Sequence, residues 1–252
     1  MHAQSRGFTI HYEARGAGPP LVLVPGTLSS AAQWELFGYV ETLCDTYRVI
    51  SVDPLGHGRS DKPHDPDAYA AAGVTADLLA VLDAEDVDRA SVWGYSRGGW
   101  ITYRLAAEHP ERVQRIVVGG FASHAHRAEV PMQSAWIEQL GAGDWAGFWR
   151  TFNIEDRGPL TPIEEANDPL AIAAAVAGSQ RPTRYVDLAG IRCPSFHYVG
   201  DQDPIARYVR ADARTLAAPA EVCPEATHLT AFANPEPAIA AVSSWLGPSE
   251  SP

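Results

Sequence analysis

The run Gly94-Tyr95-Ser96-Arg97-Gly98-Gly99 sets a serine between glycines two positions to either side. A serine hydroxyl is a weak nucleophile at neutral pH. Acyl-transfer chemistry asks for a base within hydrogen-bond reach and for donors aimed where negative charge develops. Ala90-Ser91-Val92-Trp93 before it is apolar and β-prone, and residues 100–108 after it read as helix, so Ser96 falls on a strand–turn–helix apex. A helix N-terminus there offers backbone N–H groups and the positive end of the helix dipole. Gly94 and Gly98 are expected to let strand and helix approach, and Gly99 to let the helix pack close to the sheet. Further groups with chemical capacity are Asp201 and Asp203 in Gly200-Asp201-Gln202-Asp203, and several histidines. His57 lies in a glycine-rich turn and reads as structural, and His197 lies inside an apolar strand and reads as a core residue. His124 and His126 are two apart without a supporting ligand cluster, so no metal site is expected.

These groups have to be carried by regular elements. Phe8-Thr9-Ile10-His11-Tyr12 alternates as a half-exposed strand, and Leu21-Val22-Leu23-Val24 is a continuous apolar strand buried on both faces. A helix is expected over 30–43, a strand over 47–53, and a helix over 70–82 with Val74, Leu78 and Leu82 spaced by four. After the serine turn, a strand follows over 113–120. From 122 to 190 the pattern becomes helical and aromatic without a clear strand. Trp145, Phe148, Trp149 and Phe152 follow i, i+3, i+4, i+7 and read as one helix face. The strand–helix alternation then resumes, with strands over 194–199 and 220–223, a helix over 204–216, and a last helix with Asn234 as cap and Pro235 at its first position. This order predicts an α/β fold with a mostly parallel sheet covered by helices on both faces. Ligands in such folds bind at the carboxyl ends of the strands, so the loops after Val24, Asp53, Trp93 and Val118 should share one edge. The expected division is a core of 1–121 and 191–252 with a helical cap over 122–190.

The net charge of -12 argues against nucleic acid or an anionic membrane surface as partner. It leaves room for a small anionic substrate, because one local arginine can override the global field. Cys44, Cys193 and Cys223 are odd in number and far apart, which fits partly buried free thiols rather than a disulfide or zinc framework. No run of about 18 apolar residues occurs, and the first residues have no apolar leader core, so a cytoplasmic location is expected. No cofactor is expected, since no phosphate-binding glycine pattern is present.

Four segments taken together, in this order, give the chain a resemblance to the α/β-hydrolase fold over nearly its whole length. They are Val24-Pro25-Gly26-Thr27, the loop Asp53-Pro54-Leu55-Gly56-His57-Gly58-Arg59-Ser60, the turn at Ser96, and Gly200-Asp201-Gln202-Asp203 with Ala226-Thr227-His228. The resemblance implies a catalytic triad in the chain order Ser96, Asp203, His228, with Asp201 as the alternative acid. The other position where the family places its acid, after Val118, holds Gly119-Gly120-Phe121 and offers none. It also implies an oxyanion hole made by the backbone N–H groups of Thr27 and Arg97, the Thr27 hydroxyl being a candidate third donor. Two departures stand out. Pro25 replaces the histidine of the commoner His-Gly pattern, and Arg97 replaces an apolar residue. The Arg97 guanidinium would either meet a substrate carboxylate or phenolate or pair with a structural acid. The resemblance is to the serine-nucleophile group of carboxylesterases and enol-lactonases, and it implies hydrolysis of a small ester or lactone. Cleavage of a C–C bond in a diketone, or acyl transfer, would use the same triad, and a non-catalytic ligand-binding member of the fold is a third reading. Tyr95, Trp136, Trp145 and Trp149 are the expected pocket residues, suiting an apolar or aromatic substrate group.

Overall fold

A computed structural model of the chain describes residues 1–123, 126–152, 154–180 and 185–247. The strands are β1 (His2–Ser5), β2 (Phe8–Arg15), β3 (Pro20–Val24), β4 (Arg48–Val52), β5 (Ala90–Tyr95), β6 (Val113–Gly119), β7 (Ser195–Gly200) and β8 (Ala220–Cys223). They form one sheet in the order β1-β2-β4-β3-β5-β6-β7-β8. The β1–β2 and β2–β4 pairs are antiparallel, and the pairs from β4 to β8 are parallel. The parallel strands read as near-continuous apolar runs because both of their faces are covered: every residue of β5 is buried.

Alternation along each strand sorts its side chains into two cores. Val22, Val24, Ile50 and Val92 point to the face covered by α3 (Ala71–Ala84) and α4 (Arg97–Glu108). Leu21, Leu23, Val49 and Trp93 point to the opposite face, with Trp34 of α1 (Ala31–Leu36), Tyr39 of α2 (Tyr39–Leu43) and the last helix. One helix was expected over 30–43, and two short ones are found. Gly38 at φ 79 breaks the run, its left-handed conformation closing the C-terminal turn of α1 through a bond to the Glu35 carbonyl. The helix expected over 70–82 extends to Ala84.

Between β6 and β7 the described residues hold four α-helices and no strand: α5 (His126–Gly141), α6 (Trp145–Arg150), α7 (Thr161–Ala166) and α8 (Pro169–Ser179). They have a small core of their own, built on Leu140, Phe148, Trp149, Ile172 and Val176. Phe152 lies beyond the end of α6, so the four aromatics at 145, 148, 149 and 152 do not share one helix. After β7 come α9 (Ala206–Thr215), α10 (Thr230–Ala233) and α11 (Pro235–Leu246). Asn234 precedes α11 and Pro235 opens it, as expected, although the Asn234 side chain makes no capping bond. No helix among the described residues is long and apolar enough to cross a membrane.

Candidate active site

Ser96 sits between β5 and α4 with φ 53 and ψ -119, outside the regions a serine ordinarily occupies. Close packing on all sides holds it there. A Cβ at position 94 would stand 2.2 Å from the Gly98 carbonyl oxygen and 2.3 Å from Thr102 Oγ1, so Gly94 brings β5 against α4. A Cβ at position 98 would stand 2.0 Å from the carbonyl oxygen of Val24. Gly98 therefore serves the approach of the loop after β3, rather than of β5 as expected from the sequence. That loop carries Gly26 and Thr27, and a Cβ on Gly26 would lie 3.1 Å from Ser96 Cβ. Gly99 fits the expectation, packing α4 on Val118 and Phe121 at the end of β6. The Ser96 N–H donates to the Gly119 carbonyl (2.8 Å), tying the turn to the neighbouring strand.

His228 and Asp203 come to this apex from more than 100 residues away in the chain. His228 Nε2 lies 3.0 Å from Ser96 Oγ, and His228 Nδ1 lies 2.7 Å from Asp203 Oδ2. The Asp203 side chain is only 2% exposed and its Oδ1 accepts from the Ile205 N–H at 3.1 Å, whereas the His228 side chain is 36% exposed. A buried carboxylate held on two sides fixes the imidazole so that Nδ1 donates to it and Nε2 faces the serine. Asp201 is engaged elsewhere, its Oδ1 accepting from the Ala226 N–H at 3.1 Å and bracing the loop that carries His228.

Tyr95 donates its hydroxyl to the His228 carbonyl at 2.5 Å, and its ring lies 5.5 Å from the imidazole and 4.9 Å from Phe232 in α10. Burial pushes its phenol well above the ordinary tyrosine range, so it stays a donor. Trp34, Tyr39 and Phe232 complete an aromatic cluster beneath α10, and Tyr39 donates to the Phe232 carbonyl at 3.0 Å. Gly120, at φ 57, leaves space that Tyr95 and His228 occupy: a Cβ there would meet the Tyr95 ring at 2.8 Å and His228 Cε1 at 3.1 Å.

The loop of residues 53–60 is architectural. Asp53 accepts from the Ala31 and Arg59 N–H groups at 2.7 and 2.8 Å and pairs with His11 Nδ1 at 2.9 Å. A Cβ at Gly58, whose φ is 52, would collide with the Asp53 carboxylate. His57 is fully buried and its pKa is pushed down to about 3, first by burial and then by the Arg97 charge. His197 is buried in β7, with Nδ1 3.1 Å from the Tyr103 hydroxyl, and burial lowers its pKa to about 4. Both are neutral core histidines at neutral pH. His124 lies outside the described residues, as does the side chain of His126.

A cavity of about 650 Å³ opens at the carboxyl end of the sheet, over Ser96 and His228. Thr27 and Arg97 line it beside the serine; Phe121, Trp136, Phe152 and Val176 give it an apolar wall. Of the four residues expected in the pocket, Trp136 is there. Tyr95 is packed beneath His228, behind the serine. Trp145 and Trp149 are drawn away from the cavity, stacking on each other at 6.4 Å while Trp149 Nε1 donates to Glu164 at 2.9 Å. The Arg97 side chain is buried, with its guanidinium 5.8 Å from the Trp100 ring and its charge felt at His57, Tyr69 and Asp77, which favours a structural role. Phe121, Ile154, Tyr208 and Leu229 line the cavity without any signal in the sequence, since they reach it only through tertiary packing, whereas Phe152 was marked by the aromatic spacing at 145, 148, 149 and 152. Arg207 lines it too and was not singled out from the sequence, although its i, i+3, i+7 spacing with Arg210 and Arg214 is the signal that marks it.

Comparison with known proteins places this geometry in context. Residues 19–144, half of the chain, match the family model described as alpha/beta hydrolase fold. The 2-hydroxymuconate semialdehyde hydrolase of Pseudomonas sp. (strain CF600) is 34% identical over 134 residues, covering 52% of this chain and 46% of that protein. Across the curated relatives first matched, the chain aligns with about a third to a half of their length. The crystal structure of an enol-lactonase from Burkholderia xenovorans LB400 superposes with a TM-score of 0.82 at 22% identity, covering 98% of this chain and 99% of that one. A thermophilic esterase from Thermogutta terrifontis superposes with a TM-score of 0.79 at 23% identity, covering 98% and 97%. On the family match and the shared sheet architecture, the chain belongs to the alpha/beta hydrolase fold family.

Proposed function

We propose that the protein is a serine hydrolase cleaving a small carboxylic ester or lactone. One observation carries this reading: the unbroken chain of contacts from Ser96 Oγ to His228 Nε2 at 3.0 Å and from His228 Nδ1 to Asp203 at 2.7 Å. In the proposed mechanism Ser96 Oγ attacks the substrate carbonyl while His228 Nε2 takes its proton. Asp203 stabilises the imidazolium that forms and keeps its tautomer. The N–H groups of Thr27 and Arg97 receive the developing oxyanion, the second of them at the N-terminus of α4 where the dipole favours negative charge. His228 returns the proton to the leaving alkoxide, leaving an acyl-enzyme on Ser96. A water activated by His228 then attacks the acyl carbon, releasing the acid and restoring the serine. The helices α5 to α8 between β6 and β7 act as a cap, and the apolar wall of Phe121, Trp136 and Phe152 favours an apolar or aromatic acyl group.

The likeness to a protein named 2-hydroxymuconate semialdehyde hydrolase supports a second reading, hydrolysis of a C–C bond next to a carbonyl by the same residues. Product analysis on ester, lactone and diketone panels separates the two. The hydrolase reading itself is tested by intact-mass spectrometry after fluorophosphonate treatment, beside p-nitrophenyl acetate turnover. One adduct mapped to Ser96 is expected, with adduct and turnover both lost in Ser96→Ala. Turnover should fall by about 10⁴-fold or more, the scale for removing a triad nucleophile. A folded wild type with neither adduct nor turnover would overturn the reading and favour a ligand-binding role.

A further inference from the structure

We propose that the mouth of the Ser96 cavity carries an anion-recognition subsite on α9, and that the substrate bears a carboxylate or phosphate remote from its scissile bond. This rests on the hydrolase reading and adds a substrate class to it. Arg207, Arg210 and Arg214 follow i, i+3, i+7 and are all exposed on one face of α9. They line a cleft of about 480 Å³ whose remaining walls are Asp203, Pro204 and Ala206. Asp203, Pro204 and Arg207 also line the catalytic cavity, so the cleft continues that cavity outward.

Three features set this stripe apart from an ordinary solvated face. It concentrates three cations in a chain of net charge -12. Several other arginines sit against carboxylates, as Arg6 does with Asp77, Arg112 with Asp83 and Arg157 with Glu164, and Arg89 and Arg115 are held by backbone carbonyls, whereas among the described residues Arg207, Arg210 and Arg214 make no ion pair within 4.0 Å. Arg207 also lies in the first turn of α9, where the helix dipole disfavours a cation and favours an anion. Like charges three and four residues apart repel, and an anion bound among them relieves both penalties. Arg207 is already oriented, its guanidinium donating to the Tyr208 hydroxyl at 2.6 Å and lying 4.6 Å from that ring, while Tyr208 itself lines the catalytic cavity. Asp203 is the carboxylate facing the same cleft, and its side chain is buried against His228. The cleft suits the charged tail of a small molecule whose ester carbonyl reaches Ser96.

The test uses p-nitrophenyl esters of matched chain length ending in a methyl, a carboxylate or a phosphate, assayed at low and high salt. Wild type should turn over an anionic ester with kcat/KM about tenfold above the neutral one, the preference shrinking with salt. The carboxylate and phosphate arms identify which anion is meant. The double variant Arg207→Gln/Arg210→Gln should bring the ratio to about one through KM, and Arg207→Lys should restore part of it, because ammonium keeps the charge without the fork. Far-UV circular dichroism checks that the variants fold. Neutral ester turnover with no anionic preference in wild type, or a preference unchanged in the double variant, overturns the subsite and leaves the hydrolase reading standing. Should no ester be turned over, calorimetric titration with adipate and with inorganic pyrophosphate decides. Binding weakened in the double variant upholds the subsite alone, and absence of binding overturns it.

Discussion

Ser96, His228 and Asp203 are each held by a partner outside the proposed triad, and at the scale of single residues this is where the site is most exposed to damage. Tyr95 has the largest such role. Its hydroxyl fixes the backbone of His228 while its ring supports the imidazole, so Tyr95→Phe removes one hydrogen bond and keeps the packing. The expected stability loss is about 1 kcal/mol, the net worth of one buried hydrogen bond. Turnover should fall several-fold through kcat with KM little changed, because the histidine loses its set position while the cavity wall is untouched. Steady-state kinetics beside urea unfolding checks this, and an unchanged kcat would show that α10 alone holds the loop. Tyr95 was expected in the pocket, and it lies beneath His228 instead. The elbow turns residue 95 inward while residue 96 faces out, and the sequence signal for that was the strained turn itself.

At the scale of elements, the site is the meeting of the loops after β3, β5, β7 and β8, with glycines pressing the first two together. Gly98 has the most consequence, because it lets the loop after β3 close over the first turn of α4. Gly98→Ala puts a methyl group 2.0 Å from the Val24 carbonyl, which backbone must move to accommodate. The stability cost should be about 1–3 kcal/mol, as for an overpacked site. Activity should fall by more than that loss explains, since the displaced loop carries Thr27. Activity measured well below the unfolding transition separates the two effects, and full activity in a destabilised Gly98→Ala would show that the loop's position is unimportant to turnover. The glycine pattern was legible from the chain, but which partner each glycine admits was not. Spacing tells that close approach is needed, and only packing tells what approaches.

At the scale of the whole molecule, the buried histidines link folding to pH. His57 and His197, with pKa values pushed down to about 3 and about 4 by burial, are neutral in the folded chain, and burial also lowers His11. The unfolded chain binds protons at these positions near the ordinary value of 6.5, so between the folded and unfolded values it holds more protons than the folded chain. Stability is therefore complete above about 6.5 and falls as pH drops through that value. His57 and His197 should each cost about 2 kcal/mol between pH 7.5 and pH 5. Asp77 acts in the opposite sense: burial raises its carboxyl above the ordinary 3.8, so it adds stability as pH falls through the raised value and offsets part of the histidine slope. Urea unfolding across pH 5 to 7.5 measures the slope, which should be shallower in His197→Asn. A flat profile would mean that the folded chain accepts these protons.

The chain by itself determined the order of strands and helices, because apolar alternation and Gly-Pro punctuation are local. The resemblance of its motifs to the alpha/beta hydrolase fold also named the residues of the proposed triad, because the order of such residues along that fold follows its connectivity. The cap region shows where local reading ends. Trp145, Trp149 and Trp136 look alike in the sequence and all pack on the small core of this region, yet only Trp136 among them also lines the cavity, since helices without a strong stripe take their orientation from neighbours. The choice between Asp201 and Asp203 was likewise decided in three dimensions. The two carboxylates are two residues apart, and one reaches the imidazole while the other braces the loop beneath it. The distances that make Ser96, His228 and Asp203 a chemical unit come from the convergence of parallel strand ends on one sheet edge, which long-range packing alone enforces.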